Sequence, residues 1–492
     1  MKTKPSFLKW ALRVIFLAVC VITAIRLAIV IENYRAKRAW EACRHRFEQK
    51  GEILDWSALV ANPVPDDQNF LGTPSLAASF GFGTNADGTR RQFCDTNAHQ
   101  RLIGRFEPLH KLPSQGNWRS GTLLPLGRWV ESANTSLPQL RTLIEHNGDF
   151  FSELRTAARR PCSQLKLSSG AGLDSSNPLT EELTAYRALR ELGQVFANSA
   201  KIELLDGDPV SAGADVEVVL ALADAAASQP LLTGLLVKGV LIDIAAEVVF
   251  AGLAENRWTD AQLARLESRL SQVNIVADCR RCIRGERAFA IALVGVLRNI
   301  NLFVTETHGD VGRPLEHRGG TFLAWPRAIA YRNQITIAEG YDALLQGRLD
   351  PAGPSVLLCP APKDDPTLSG FRKPSLYNAL FPQLLGASEN ALRRTASFQA
   401  TISISRVACA LERYYLSKGQ YPESLSELVP GFISRIPVDP VNGAPLRYKS
   451  GDGKSYLLYS VGVDCTDDGG RRIPQNQRRK EIPSGDWVWE NN

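Results

Sequence analysis

Residues 14–31 leave this chain less conformational freedom than any other stretch. Residues 14–25 carry no charge, Arg26 interrupts, and residues 27–31 resume the apolar run. Hydrocarbon offers no water to a backbone N–H or C=O, so such a segment is a helix wherever it meets lipid. As a helix its eighteen residues reach about 27 Å, just enough for a hydrocarbon core of about 30 Å. Arg26 lies near one end and can extend its guanidinium toward the headgroups. A cleaved signal peptide fits less well, because the apolar run resumes after Arg26 and no small-x-small site follows. In Leu17-Ala18-Val19-Cys20, Val19 stands where a lipoprotein box needs a small residue. The segment is therefore expected to be an uncleaved, single-pass anchor, with residues 1–34 as tail and span. Lys2, Lys4, Lys9 and Arg13 precede it and Arg35, Lys37, Arg38, Arg44 and Arg46 follow, so the flanking charges do not orient it. A short basic N-terminus before one span ordinarily stays in the cytoplasm, which places the body on the outer face.

At 492 residues the chain has room for roughly two to four domains. Its 44% apolar and 22% charged residues argue against wholesale disorder. The net charge of +6 is small for this size. No dense basic stripe interleaved with aromatics accompanies it, so no nucleic-acid partner is expected. After the anchor, residues 35–130 read as a helix followed by a loop-rich segment with a hairpin. Residues 131–346 read as a helical body, 347–375 as a Pro- and Gly-rich linker, and 376–492 as a small α+β module. The expected fold class is mainly α: an N-terminal membrane helix, a helical bundle or irregular α-solenoid body, and that C-terminal module.

Periodicity carries the helical reading. Asn177-Pro178 offers a capping side chain and a proline suited to a first helical turn. Leu179, Leu183, Tyr186, Leu189, Leu192, Phe196 and Ala200 then recur every three or four residues, giving one apolar face. Asp206-Gly207-Asp208-Pro209 breaks the pattern, and a second helix is expected over 214–228. Residues 231–254 are apolar on nearly every side. Lys238, Asp243 and Glu247 would be costly in lipid, so the stretch is expected as a buried core helix. Further helices are expected from Thr259-Asp260 and over 286–300. Residues 70–129 are rich in Gly, Ser, Asn and Pro, and Arg101-Leu102-Ile103-Gly104-Arg105-Phe106 suits strands and turns. No fixed repeat period is present.

Signatures of catalysis are sparse. The chain has no Gly-rich phosphate loop, no Gly-x-Ser-x-Gly elbow and no His-Glu-x-x-His helix. His308, Asp310, Glu316 and His317 could hold a divalent ion, but a polar loop that caps and bridges helices explains them more simply. Cys279-x-x-Cys282 admits a disulfide or redox pair, buried thiols, or half of a metal site. Apart from Cys20, eight cysteines remain, an even number that permits disulfides in an exported chain.

The last 110 or so residues hold the most specific pattern. Ala410-Leu411-Glu412-Arg413-Tyr414-Tyr415 closes an amphipathic helix over 400–416, which Lys418-Gly419 stops before Gln420-Tyr421-Pro422. A short helix is expected over 424–428. Val438-Asp439-Pro440 follows, then Leu446-Arg447-Tyr448 and a strand over 456–461, paired through an Asp452-Gly453 turn. The segment finishes with Leu458-Tyr459-Ser460-Val461-Gly462-Val463-Asp464 and Asp467-Asp468-Gly469-Gly470. Tyr414, Tyr421, Tyr448 and Tyr459 are expected to share a core. This order resembles the C-terminal part of the major pseudopilin of type II secretion systems, over roughly a quarter of the chain. The whole chain is also similar to uncharacterised membrane-anchored bacterial envelope proteins with that module. Among those, phrases such as Val64-Pro65-Asp66-Asp67-Gln68-Asn69-Phe70, Arg284-Gly285-Glu286-Arg287-Ala288 and Asp467-Asp468-Gly469-Gly470 recur.

The resemblance implies a calcium loop in which Asp464 is a ligand, with a second aspartate across the loop at Asp467, Asp468 or Asp486. Calcium takes six to eight oxygens in flexible geometry, and paired glycines can aim carbonyls inward. Arg471, Arg472, Arg478 and Arg479 offer the alternative, an arginine-bridged acidic turn. The resemblance also implies a protein of the bacterial inner membrane with its body on the periplasmic face. The expected role is structural or protein-binding, alongside other envelope proteins and a secretion or pilus-like assembly. Two other functions stay open: a divalent-metal hydrolase on the His308/His317 loop, and a peptide- or saccharide-binding helical module.

Overall fold

The computed structural model describes residues 7–60, 62, 64–80, 82–84, 90–92, 96–132, 135–165, 178–299, 327–350, 353, 355–356, 358, 366–473 and 485–491. The protein is mainly helical, with a small three-stranded antiparallel sheet near its C-terminus. Helix α1 (Phe7–Gln49) is followed by α2 (Pro74–Phe80), strands β1 (Phe82–Thr84) and β2 (Arg90–Gln92), α3 (Thr96–Arg105) and α4 (Glu107–His110). Next come α5 (Leu126–Ser132), α6 (Leu137–His146), α7 (Gly148–Ala157), α8 (Pro178–Leu205), α9 (Pro209–Ala226) and α10 (Leu232–Ala254). After α11 (Asp260–Ser271), α12 (Ile275–Asn299), α13 (Arg327–Arg348), α14 (Pro366–Ser369) and α15 (Phe381–Lys418), the sheet is made by β3 (Arg447–Gly451), β4 (Ser455–Ser460) and β5 (Trp487–Asn491).

By contact the chain divides into two compact units, neither continuous in sequence. The smaller comprises Met1–Trp56, Arg287–Ala343 and Leu368–Leu385. In it, α13 runs parallel to the second half of α1: the Ala328 N–H donates to Asn33 (2.8 Å), Arg46 pairs with Glu339, and Lys50 with Asp342 (3.3 Å). Ala36, Cys43 and Phe47 form the buried stripe of α1, and the fully buried Arg287 pairs with Glu52 above the Phe47 ring.

The larger unit comprises Ser57–Glu286, Leu344–Thr367 and Gly386–Asn492. Its centre is α8, α9 and α10, packed on one another. Asp208 caps α9 through the N–H groups of Val210 and Ser211 (3.1 and 3.0 Å), with Pro209 in the first turn. The cap starts that helix five residues earlier than its apolar pattern alone suggests. Tyr186, Leu189, Leu192, Phe196 and Ala200 of α8 are buried as expected, but so are Ala188, Val195 and Ala197, whereas Leu183 is exposed. The second half of α8 is thus enclosed on most sides. α10 is a core helix, and Gly239 lets it approach α15: a Cβ there would lie 2.0 Å from the Phe398 ring.

Residues 70–129, expected to be loop-rich, hold α2, α3, α4 and the start of α5. Residues 101–106 form the end of α3 and the turn after it, not a strand. Ala98, Leu102, Ile103 and Phe106 are buried at helical spacing, and that one-sided burial outweighs the local Gly and Arg content. β1 and β2 pair antiparallel within residues 70–129, with Gly83 opposite Arg91. α12 begins at Ile275, eleven residues before the start expected from periodicity, and α15 at Phe381 instead of near residue 400.

Candidate functional site

The acidic C-terminal loop grows out of the small sheet. β3 and β4 pair with Tyr448 opposite Leu458, through a turn in which Asp452 and Gly453 take φ of 49° and 70°. β5 completes the order β3-β4-β5, with Trp489 opposite Leu458. Asp439 fastens the base of β4. It is fully buried and accepts from the Val441 N–H (3.0 Å), the Ser460 hydroxyl (2.9 Å) and the Val461 N–H (3.0 Å). Burial pushes its pKa up although these donors favour the charged form. Aromatic side chains gather near the start of β4: Tyr421 stacks on Tyr415 (4.7 Å), meets Tyr456 edge-on (4.8 Å), and donates its hydroxyl to Glu412 (2.8 Å). Tyr421 and Tyr459 are buried, Tyr448 and Tyr414 only half-buried.

Past β4 the chain turns at Gly462 and Cys465, with φ of 70° and 64°, and Cys465 is disulfide-bonded. Asp464 then accepts from the N–H groups of Gly485 (3.2 Å) and Thr466 (3.3 Å). Asp486 closes the other side. Its two oxygens take the N–H groups of Gly470 (2.7 Å) and Asp468 (3.4 Å), and its own N–H donates to the Arg471 carbonyl (2.8 Å). Burial, with Asp467 and Asp468 nearby, raises Asp486 to a pKa of about 6. Asp467 is exposed and held lower by the Gly469 N–H, Arg447 and Tyr459. Arg472 pairs with Glu490 of β5 at 2.9 Å, so among the described residues the arginine that bridges the acidic turn is Arg447, not Arg472.

This donor set is all oxygen, the chemistry of a hard cation such as calcium. The structure brings Asp464 and Asp486 to opposite ends of one loop closure and puts Asp467 and Asp468 between them. Asp467 is committed to Arg447, and Asp464 and Asp486 each accept two backbone N–H groups, which leaves Asp468 the freest of the four carboxylates among the described residues. Among the described residues no three His, Cys, Asp or Glu side chains converge into a metal-holding group.

The other candidates separate. Cys279 and Cys282 are free, buried thiols in α12. Burial raises Cys279 to about 12 and Cys282 well above its ordinary value, so neither forms a thiolate readily. His308, Asp310, Glu316 and His317 lie outside the described residues, as do Arg478 and Arg479. The stretches Arg284–Ala288 and Val64–Phe70 have packing roles. A Cβ at Gly285 would lie 1.7 Å from the Pro230 carbonyl oxygen, while Glu286 accepts the Leu232 N–H (2.9 Å) at the start of α10. Asn69 bonds both backbone groups of Gln164 (2.8 and 3.0 Å).

The helical core also holds buried ion pairs, among whose members only Lys238, Asp243 and Glu247 stand out in the sequence. Arg155 holds Glu203 and Asp215 together, and burial raises both carboxyls. Lys201 has one carboxylate, Glu247 (2.5 Å), and burial leaves its pKa lowered. Lys238 is buried too, but Asp224 (2.8 Å) and Asp278 (2.7 Å) more than offset that cost and raise it. The signal was weak in the sequence: Lys201 and Glu203 follow Asn198 and Ser199, so the stretch 198–203 reads as a polar face, although all of it is buried. Structural ion pairs perturb pKa values as catalytic groups do, and Asp215 is fully enclosed.

Comparison with protein-family models, curated protein sequences and solved structures returned no match.

Proposed function

We propose that the chain is a membrane-anchored, non-catalytic bacterial envelope protein, with a structural or protein-binding role alongside a secretion or pilus-like assembly. The contrast between two apolar helices carries this reading. α10 is buried in protein on nearly all sides. The apolar window of α1 is wholly exposed, and among the described residues α1 alone is long and apolar enough to cross a membrane. A helix of that kind gains stability by entering lipid. On this reading residues 14–31 are the span, the membrane is the inner one, and the body lies on the periplasmic face. The Cys465 disulfide is in keeping with an oxidising compartment. The helix ending at Gly419, the Tyr421-Pro422 turn and the β3-β4-β5 sheet support a pseudopilin-like module, with structural calcium at Asp464 and Asp468. In-cell photocrosslinking of the full chain, with the probe at exposed Leu416 or Val429, tests the role. Adducts with a second copy or with membrane secretion components are expected. Probe-bearing protein that is correctly inserted yet forms neither adduct would sink the assembly reading.

A further inference from the structure

Where α1 leaves its apolar stretch, the smaller unit gathers cations at one level. Arg35, Lys37 and Arg38 follow the span on α1, and α13 starts beside Glu32 and Asn33. The Ala328 N–H donates to the Asn33 side chain (2.8 Å), and Arg332 pairs with Glu32 (3.2 Å). Arg327, the first residue of α13, is therefore level with the end of the span. Over 32–38 and 327–332 five cations face one carboxylate, Glu32. Lys37 is paired with Glu41 at 3.7 Å. Arg35, Arg38 and Arg327 are exposed and, among the described residues, make no ion pair.

Helix geometry aims these side chains at the bilayer. Cα–Cβ bonds tilt toward a helix N-terminus, and for α1 beyond residue 31 that direction is back toward the span. Arg38 shows the tilt, its guanidinium lying 5.5 Å from the centre of the Tyr34 ring, one turn nearer the apolar run. Because α13 runs parallel to α1, its side chains lean the same way, as Arg332 reaching Glu32 does. Arg35 and Arg38 stand about 6 and 10 Å along the helix from Ile31, within and just beyond a headgroup layer about 5–8 Å deep. Exposed Trp10 and Tyr34 sit about 36 Å apart along α1, the spacing of two interfacial aromatic belts.

We propose that Arg35, Arg38 and Arg327 form a collar that binds the phosphates of anionic phospholipid headgroups where α1 emerges from the membrane. A guanidinium presents a planar fork of N–H donors that matches a phosphate's oxygens. The inference rests on the anchor reading above. Its test reconstitutes the full chain into nanodiscs of phosphatidylcholine with a minority of phosphatidylglycerol. Native mass spectrometry then counts the lipids retained. Wild type should favour phosphatidylglycerol by about fivefold per engaged arginine. The triple Arg→Gln variant at these positions should show no preference, and the triple Arg→Lys variant should keep most of it. A chain that does not enter the disc would overturn the anchor and the collar together. Normal entry without a preference, or a preference that survives the Gln variant, would overturn the collar alone.

Discussion

At the scale of single residues, the acidic loop is decided by what each carboxylate has for company. Asp467 has Arg447 and sits below its ordinary pKa, whereas Asp486 is buried beside two other aspartates and rises to about 6. An acid whose folded pKa is raised contributes stability that is complete below the unfolded value and lost as pH rises through the folded one. Asp486 should therefore cost the protein on the order of 1 kcal/mol between about pH 4 and pH 6. Denaturant unfolding of the full chain in detergent, with chelator, should show this as a pH slope that Asp486→Asn removes. A calcium ion in the loop favours the charged form, so calcium should restore stability above pH 6, and Asp464→Ala should abolish that response. A slope insensitive to calcium would mean that the loop holds no calcium and is neutralised by arginine, as Arg447 does at Asp467. Asp464 and its neighbours were visible in the sequence as carboxylates near paired glycines. Which one is buried was not visible, because it depends on β5 closing over the loop from residues far along the chain.

At the scale of elements, helices were legible where one face had to be buried and caps were explicit. α10 and α11 start close to their expected places because Pro230 and Thr259-Asp260 punctuate them, whereas α9 starts five residues early because Asp208-Pro209, expected as a break, is its cap. α3 was misread as strand because its Gly104 and arginines are turn-like locally, while burial of Leu102, Ile103 and Phe106 comes only from packing. Close helix approach was equally hidden. Gly239 reads as a weak point in α10, where alanine would add about 1 kcal/mol of helix propensity. In the fold its missing Cβ is the space filled by the Phe398 ring of α15. Gly239→Ala should therefore destabilise by about 2 kcal/mol, since overpacking a filled core outweighs the propensity gain. Thermal unfolding should show part of that loss recovered in the double variant Gly239→Ala with Phe398→Leu. An alanine variant as stable as wild type would mean that α15 yields to the methyl.

At the scale of the whole molecule, the C-terminal sheet and the helical core of the larger unit are tied by one aromatic column. Trp489 of β5 lies against Phe250 of α10, and Phe250 against Trp118, each pair with ring centres 4.4 Å apart. The turn that carries Trp118 is itself held. Arg119 binds Asp243 of α10 (2.9 Å) and Thr401 of α15, and Gly121 lies against the Arg472 guanidinium. Sequence composition separates a module at 376–492 from a helical body, since no periodicity shows that a tryptophan near the C-terminus stacks on residues more than 200 positions earlier. If the column couples them, sheet and core unfold together. Trp489→Ala removes a buried ring and its indole N–H bond to the Tyr456 hydroxyl (3.0 Å), a loss of about 3–5 kcal/mol. Hydrogen exchange should then show β4, β5, α9 and α10 losing protection by the same free energy, because each opens through the same global transition. Loss confined to β4 and β5, with α9 and α10 unchanged, would mean that the module unfolds alone and that the column is contact without coupling.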